Sequence, residues 1–113
     1  MIDDYRFGSM EIAGTTYQAD LKIVNGKVVP QWWRKEGHKV YVDDILDIFE
    51  AQPAVLVVGR GKPGLMKPSN DVRRLCIEKG IQLIDEPTDE AVRTFNELAK
   101  AGKKVAGAFH LTC

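Results

Sequence analysis

From Thr16 to Ile23 polar and apolar residues alternate one by one, with Tyr17, Ala19, Leu21 and Ile23 on one side and Thr16, Gln18, Asp20 and Lys22 on the other. A period of two marks a half-buried strand and argues against a helix, whose period of 3.6 would scatter these positions around its circumference. Asn25-Gly26 follows, a dipeptide that accepts positive φ at both central positions of a tight turn. Lys27 to Trp33 is therefore expected to return antiparallel, with Pro30 marking an edge or a bulge. Phe7 to Ala13 supplies a further strand that turns at Gly14.

The period changes after residue 43. Asp43 or Asp44 caps a helix that carries Ile45, Leu46, Ile48 and Phe49 and stops before Pro53. Val55-Leu56-Val57-Val58 is a continuous apolar run, typical of a strand covered on both faces. Pro68-Ser69 begins a helix with Val72, Leu75 and Cys76 inward and Gly80 at its end. Ile81 to Ile84 forms the next strand, Thr88 caps a third helix, and Val105 to Phe109 closes the sheet. Helix and strand alternate throughout this half, so the fold class is α/β. The expected architecture is a three-layer single domain over residues 1–113, with a central mixed sheet, helices packed on it and an added N-terminal β-hairpin layer.

Sixteen basic and sixteen acidic residues cancel, so no net field holds a polyanion. Arg34-Lys35 and Lys103-Lys104 are too short to make a nucleic-acid patch. No apolar run approaches the roughly 20 residues of a membrane span, and the N-terminus has no apolar signal-peptide core. The expectation is a cytoplasmic protein, a monomer or weak homodimer, with no nucleic-acid or membrane partner. Cys76 and Cys113 have neither metal-ligand spacing nor a framework pattern and read as thiols.

Gly59-Arg60-Gly61-Lys62-Pro63-Gly64 fits G-x-G-x-x-G after a strand, with Asp85 further on. In a dinucleotide site these glycines would bring backbone N–H groups to a pyrophosphate at a helix N-terminus. Here Pro63 and Pro68 interrupt the stretch and the helix starts late, so the motif reads first as a tight βα loop and no cofactor is expected. A weaker version has Arg60, Lys62 and Lys67 holding a small anion. His38 and His110 are the only histidines, and with Cys113 they lack the clustered spacing of a metal set. Cys113 and His110 admit a nucleophile–base contact if the tail folds over, against a simpler reading in which His110 caps the strand end. Trp33 and Arg34 belong to the residue types that dominate interface hot spots, and of the adjacent Trp32 and Trp33 one is expected in the core and one at the surface.

Taken together, Phe7-Gly8, Trp32-Trp33-Arg34 with Gly37-His38, the Val57-Val58-Gly59 and Gly61 to Gly64 loop, Asn96-Glu97-Leu98 and the terminal His110-Leu111-Thr112-Cys113 resemble the Mth nine-thirty-eight-like domain family over essentially the whole chain, with Arg60 a departure from its pattern. The resemblance implies a three-layer α/β domain whose mixed sheet has one strand running against the others, plus a small extra β element. It also implies no established reaction or obligate cofactor, and eukaryotic members that look like assembly or interaction proteins; a start almost at the domain, with no mitochondrial presequence, leads to the expectation of a prokaryotic-type stand-alone member. The leading expectation is a non-catalytic protein-interaction or assembly module with a protein partner. Its contact surface or pocket would use Trp33, Arg34, His38, Gly59, Arg60, Gly61, Gly64, Lys67 and His110. The alternative is a small-anion or metabolite-binding domain or enzyme using the Gly59–Gly64 loop.

Overall fold

The computed structural model describes residues 1–113. Its centre is a five-stranded mixed sheet built from β4 (Leu21–Val24), β5 (Lys27–Val29), β7 (Val55–Gly59), β9 (Gln82–Glu86) and β10 (Val105–Phe109), in the order β5-β4-β10-β7-β9. β10, β7 and β9 are parallel, and β4 runs antiparallel to both β10 and β5. One strand therefore opposes the other four, as the resemblance implies. A second sheet, β1 (Ile2–Arg6), β2 (Ser9–Ile12) and β3 (Thr15–Tyr17), is antiparallel throughout. A parallel pair of two-residue strands, β6 (Lys39–Val40) and β8 (Lys67–Pro68), completes the β structure.

The Val55–Val58 run divides by the pleat of the strand. Leu56 and Val58 enter one core with Ala106, Ala108, Trp32, Ile48, Phe49, Val72 and Cys76. Val55 and Val57 enter the other with Leu21, Ile23, Met10, Ala91, Val92, Phe95 and Phe109. The first is roofed by α1 (Leu46–Ala51) and α2 (Asn70–Lys79), the second by α3 (Thr88–Lys100) and the N-terminal sheet. Both faces of the sheet are covered, which is why alternation is absent from this interior strand.

Local chemistry sets several boundaries. Ser69 caps α2, its hydroxyl accepting from Val72 N–H at 3.2 Å, and Gly80 ends it in a left-handed conformation. The segment before α1 begins as a 3-10 turn, Val42–Ile45, in which the Asp44 carboxylate accepts from Tyr41 N–H at 2.8 Å. Leu46, expected on the buried stripe, is half exposed.

Several expectations are corrected. The Thr16–Ile23 alternation is not one strand: it breaks at Gln18–Asp20, leaving Thr15–Tyr17 in the outer sheet and Leu21–Val24 in the central one. The Asn25-Gly26 hairpin forms, but inside the central sheet, and the added layer is the three strands before it. Lys22, on the polar side of the pattern, is buried because the sheet is covered there too, and its ammonium meets both Asp47 carboxylate oxygens at 2.8 Å. Finally, Ile2–Arg6 is a strand where none was expected. Asn96 of α3 holds it, accepting from Ile2 N–H at 3.0 Å and donating to the Ile2 carbonyl at 2.8 Å.

Replacing Asn96 with Ala removes both bonds across a sequence separation of 94 residues. At about 1 kcal/mol net per bond, Asn96→Ala is expected to lower unfolding stability by roughly 2 kcal/mol in urea titrations. A variant within about 0.3 kcal/mol of the parent would show that the N-terminal strand is held otherwise.

Candidate functional site

The break in the Thr16–Ile23 pattern turns Asp20 inward, and its carboxylate becomes a hub. Oδ1 accepts from Leu111 N–H at 2.8 Å; Oδ2 lies 2.8 Å from Arg34 Nη2 and 2.7 Å from His110 Nδ1. The short contact with His110 identifies Nδ1 as the protonated nitrogen donating to the carboxylate. The 3.3 Å approach of Arg34 Nη2 to the same nitrogen is then a by-product of sharing one oxygen. Arg34 also donates to the Gly37 carbonyl at 2.8 Å and lies over the Trp32 ring at 4.6 Å, leaving its side chain 5% exposed. Trp32 is buried, its indole N–H donating to the Asp44 carbonyl at 2.9 Å, whereas Trp33 is 87% exposed. The adjacent indoles thus divide between core and surface.

Asp20 also fixes the chain after β10. His110 N–H donates to Gly59 and Thr88 Oγ donates to the His110 carbonyl at 2.6 Å. The Leu111 carbonyl accepts from Gly8 N–H at 2.7 Å and from Tyr5 Oη at 2.9 Å. Lys62 N–H donates to Thr112 and Leu65 N–H to Cys113. Burial, reinforced by the charges of Asp89 and Asp20, pushes the Tyr5 phenol above its ordinary pKa and keeps it a donor.

This strap and its neighbours use up the donors of the glycine-rich loop. The N–H groups of Arg60, Gly61, Lys62, Leu65 and Met66 go to Glu86, Thr88, Thr112, Cys113 and Arg60, all within the protein. A Cβ on Gly59 would meet the Phe109 ring at 2.8 Å and Thr88 Oγ at 2.9 Å. On Gly61, at φ +90°, it would strike the Thr112 carbonyl and approach His110 Cδ2 at 2.7 Å. The glycines admit the protein's own side chains and tail where a pyrophosphate would need free donors. Asp85, in the position of a ribose acceptor, instead pairs with Arg60 and Arg73 at 3.2 Å each.

Of the residues singled out from sequence, Arg34, His38, Gly61 and His110 come together, the two imidazole centroids being 5.7 Å apart. Arg60 and Gly64 form a separate contact, Arg60 Nη1 donating to the Gly64 carbonyl at 3.1 Å. Lys67 lies opposite Lys39 in the β6–β8 pair. Trp33 and Arg34 border a cleft of about 570 Å³ between the Gln18–Asp20 and Gln31–Arg34 segments, closed by Gly37 and Thr112.

Sequence reasoning does not single out Asp20 or Thr88 as site residues. An aspartate on the polar side of an alternating run reads as solvated, and Thr88 reads as a helix cap. Pro87 takes the cap position, which frees the Thr88 hydroxyl to join the loop to the tail by accepting from Gly61 N–H at 2.8 Å.

Burial by itself works to raise the Asp20 pKa, but the hydrogen bonds from His110, Leu111 N–H and Arg34, with the charge of His110, outweigh it and hold the carboxyl below its ordinary value. A lowered folded-state pKa contributes stability that is complete above the unfolded value of about 3.9 and is lost as pH falls through the folded one. Asp20→Asn leaves Arg34 buried without its counter-charge and should cost about 3–5 kcal/mol at pH 7. Urea midpoints measured from about pH 7 down to about pH 2 should then fall more steeply below about pH 4 for the parent than for the variant. Parallel curves would remove Asp20 from the acid transition. Gly61→Ala should cost about 1–3 kcal/mol from overpacking alone, beyond the backbone strain it shares with Gly26→Ala, whose Cβ would meet nothing.

Residues 2–110 match the model of a family described as protein of unknown function (DUF498/DUF598). Among solved structures, MT938 is similar at 28% identity over 100% of this chain and 98% of its own, with a TM-score of 0.83. An outer membrane protein from Bartonella henselae is similar at 26% identity, covering 99% and 94%, with a TM-score of 0.85. A Bordetella pertussis protein described as a Mth938-like domain shares the fold at 18% identity, covering 97% and 84%, with a TM-score of 0.78. In the present chain no helix is long and apolar enough to cross a membrane. With nearly every residue matched and the strap, the cleft and the mixed sheet set in that shared fold, this chain belongs to the DUF498/DUF598 family of Mth938-like domains.

Proposed function

We propose that the protein is a non-catalytic binding module, of the kind that supports assembly, and that it docks a protein partner at the Trp33 rim of the 570 Å³ cleft. The observation that carries this reading is the contrast between two neighbours: Trp33 is 87% exposed while Arg34 beside it is buried and its charge is met by Asp20. An exposed indole on a rigidly held segment offers a large contact area at little entropic cost. The main-chain N–H groups of Gln18, Ala19, Gln31 and Trp33 around the cleft are not engaged by the protein's own main chain, which suits an extended peptide segment. Catalysis finds less support. The Asp20–His110 pair has the form of a general-base dyad, but His110 Nε2 is buried and has no hydroxyl or thiol hydrogen-bonded to it. Anion binding in the Gly59–Gly64 loop is opposed by loop donors already committed to the chain itself. The free, exposed Cys113 suits a reducing compartment, in keeping with a cytoplasmic protein.

The test compares Trp33→Ala with Ile77→Ala, which removes another exposed apolar side chain on α2. Both variants should keep the parent's stability in urea within about 0.5 kcal/mol, as surface substitutions do. Quantitative pull-down should show specific partners depleted at least about tenfold by Trp33→Ala, a loss of about 1.4 kcal/mol or more, and retained by Ile77→Ala. Equal recovery by both variants would eliminate the Trp33 rim as the docking site.

A further inference from the structure

A strand at the end of a sheet leaves a row of main-chain donors and acceptors open, and proteins ordinarily blunt such edges with short strands, proline or bulges. Here β5 has three residues and runs into Pro30, β3 has three, and β1 carries a register shift between Ile2 and Asp4. Within β9 there is no such device. It is five residues long, lies at the opposite end of the central sheet from β5, and pairs only with β7.

Gln82 N–H donates to Ala54 at 3.0 Å and the Glu86 carbonyl accepts from Arg60 at 2.8 Å, so the even-numbered residues turn their main chain toward β7. By alternation, the N–H and carbonyl groups of Leu83 and Asp85 point out from the open edge. The charge that Asp85 would set against an incoming strand is neutralised by Arg60 and Arg73, each at 3.2 Å.

We propose that this edge receives β9 of a second copy of the chain, antiparallel about a two-fold axis at Ile84, so that the two central sheets become one. The register follows from what each residue can offer. An axis at Leu83 would set Asp85 against Ile81, whose N–H is already given to Cys76 at 2.8 Å. An axis at Asp85 would oppose two carboxylates and set Leu83 against Pro87, which has no N–H. With the axis at Ile84, Leu83 and Asp85 face each other on both sides of it, and each pair exchanges both of its hydrogen bonds.

The side chains suit that register. Ile84, half-buried against the core under α3, meets its own counterpart. Gln82 is exposed and stands opposite Glu86, whose Oε1 accepts from Thr94 Oγ at 2.6 Å and whose Oε2 is left to accept from the Gln82 amide. No like charges are opposed. The contact is small beside the about 1,200–2,000 Å² of stable complexes, so the dimer is weak and forms as concentration rises. It lies at the other end of the sheet from the Trp33 cleft and leaves that surface open.

Sedimentation equilibrium of the full chain should give a mass rising from 12.6 kDa toward twice that value between about 10 µM and about 1 mM. Amide hydrogen exchange at Leu83 and Asp85 should slow over the same range. Gln82→Lys sets an ammonium against Glu86 of the second copy and should tighten the dimer about threefold or more, whereas Gln82→Glu opposes like charges and should weaken it by a similar factor. Both variants change an exposed side chain and leave the fold intact. A mass that stays at 12.6 kDa at about 1 mM would overturn self-pairing and leave the edge to a strand of another protein. A dimer in which the two Gln82 variants behave alike would place the contact elsewhere and overturn the β9 pairing.

Discussion

The carboxylate of Asp20 holds together the part of the molecule that is not secured by sheet or helix. It sits at the corner where the chain leaves the outer sheet for the central one, and it binds three groups from two other segments: the Arg34 guanidinium, the His110 ring and the Leu111 amide. A buried ion pair is not a strong source of net stability, because desolvation offsets most of the Coulombic gain. Its value here is positional. With both oxygens in use, the β3–β4 corner, the Trp32–Arg34 segment and the tail after β10 have one mutually consistent arrangement.

The arrangement of the tail decides what the glycine-rich loop can do. A loop at the carboxyl end of a parallel strand is the usual ligand position in an open α/β sheet. In this chain the place is taken by residues 110–113, which accept from Lys62 and Leu65 N–H and fill the space beside Gly61, while the loop's other donors go to Glu86, Thr88 and Arg60. The fold has in effect filled its conventional ligand crevice with its own terminal segment. What stays available lies on the neighbouring side, where Trp33 projects and the Gln18–Asp20 and Gln31–Arg34 segments border the cleft.

Much of the fold was legible because it rests on local rules. The Val55–Val58 run, the helix start at Pro68-Ser69, the Gly80 stop and the Asn25-Gly26 turn each state their structure within a few residues, and each is found. The features that escaped depend on partners distant in sequence. Alternation continues through Gln18–Asp20 although the chain turns there, since a period of two does not register a corner. Ile2–Arg6 is a polar segment with one buried apolar residue, and its place comes from Asn96 across the whole chain. Asp20, Thr88 and the buried state of Arg34 have the same origin: side chains that look solvent-facing locally are turned inward by a tail distant in sequence, 91 residues away in the case of Asp20. The split of Trp32 and Trp33 between core and surface was legible, because adjacent residues on an extended segment point to opposite sides.

The central claim is that residues 110–113 belong to the cooperative core and do not behave as a frayed terminus. Native-state hydrogen exchange at Leu111 N–H and Lys62 N–H measures this most directly, since one amide is held by Asp20 and the other holds Thr112. Both should exchange only through global unfolding, with opening free energies equal to the stability from urea titration and close to that of the interior strand β7. Exchange at Leu111 governed by a low-energy local opening, independent of denaturant, would contradict the account.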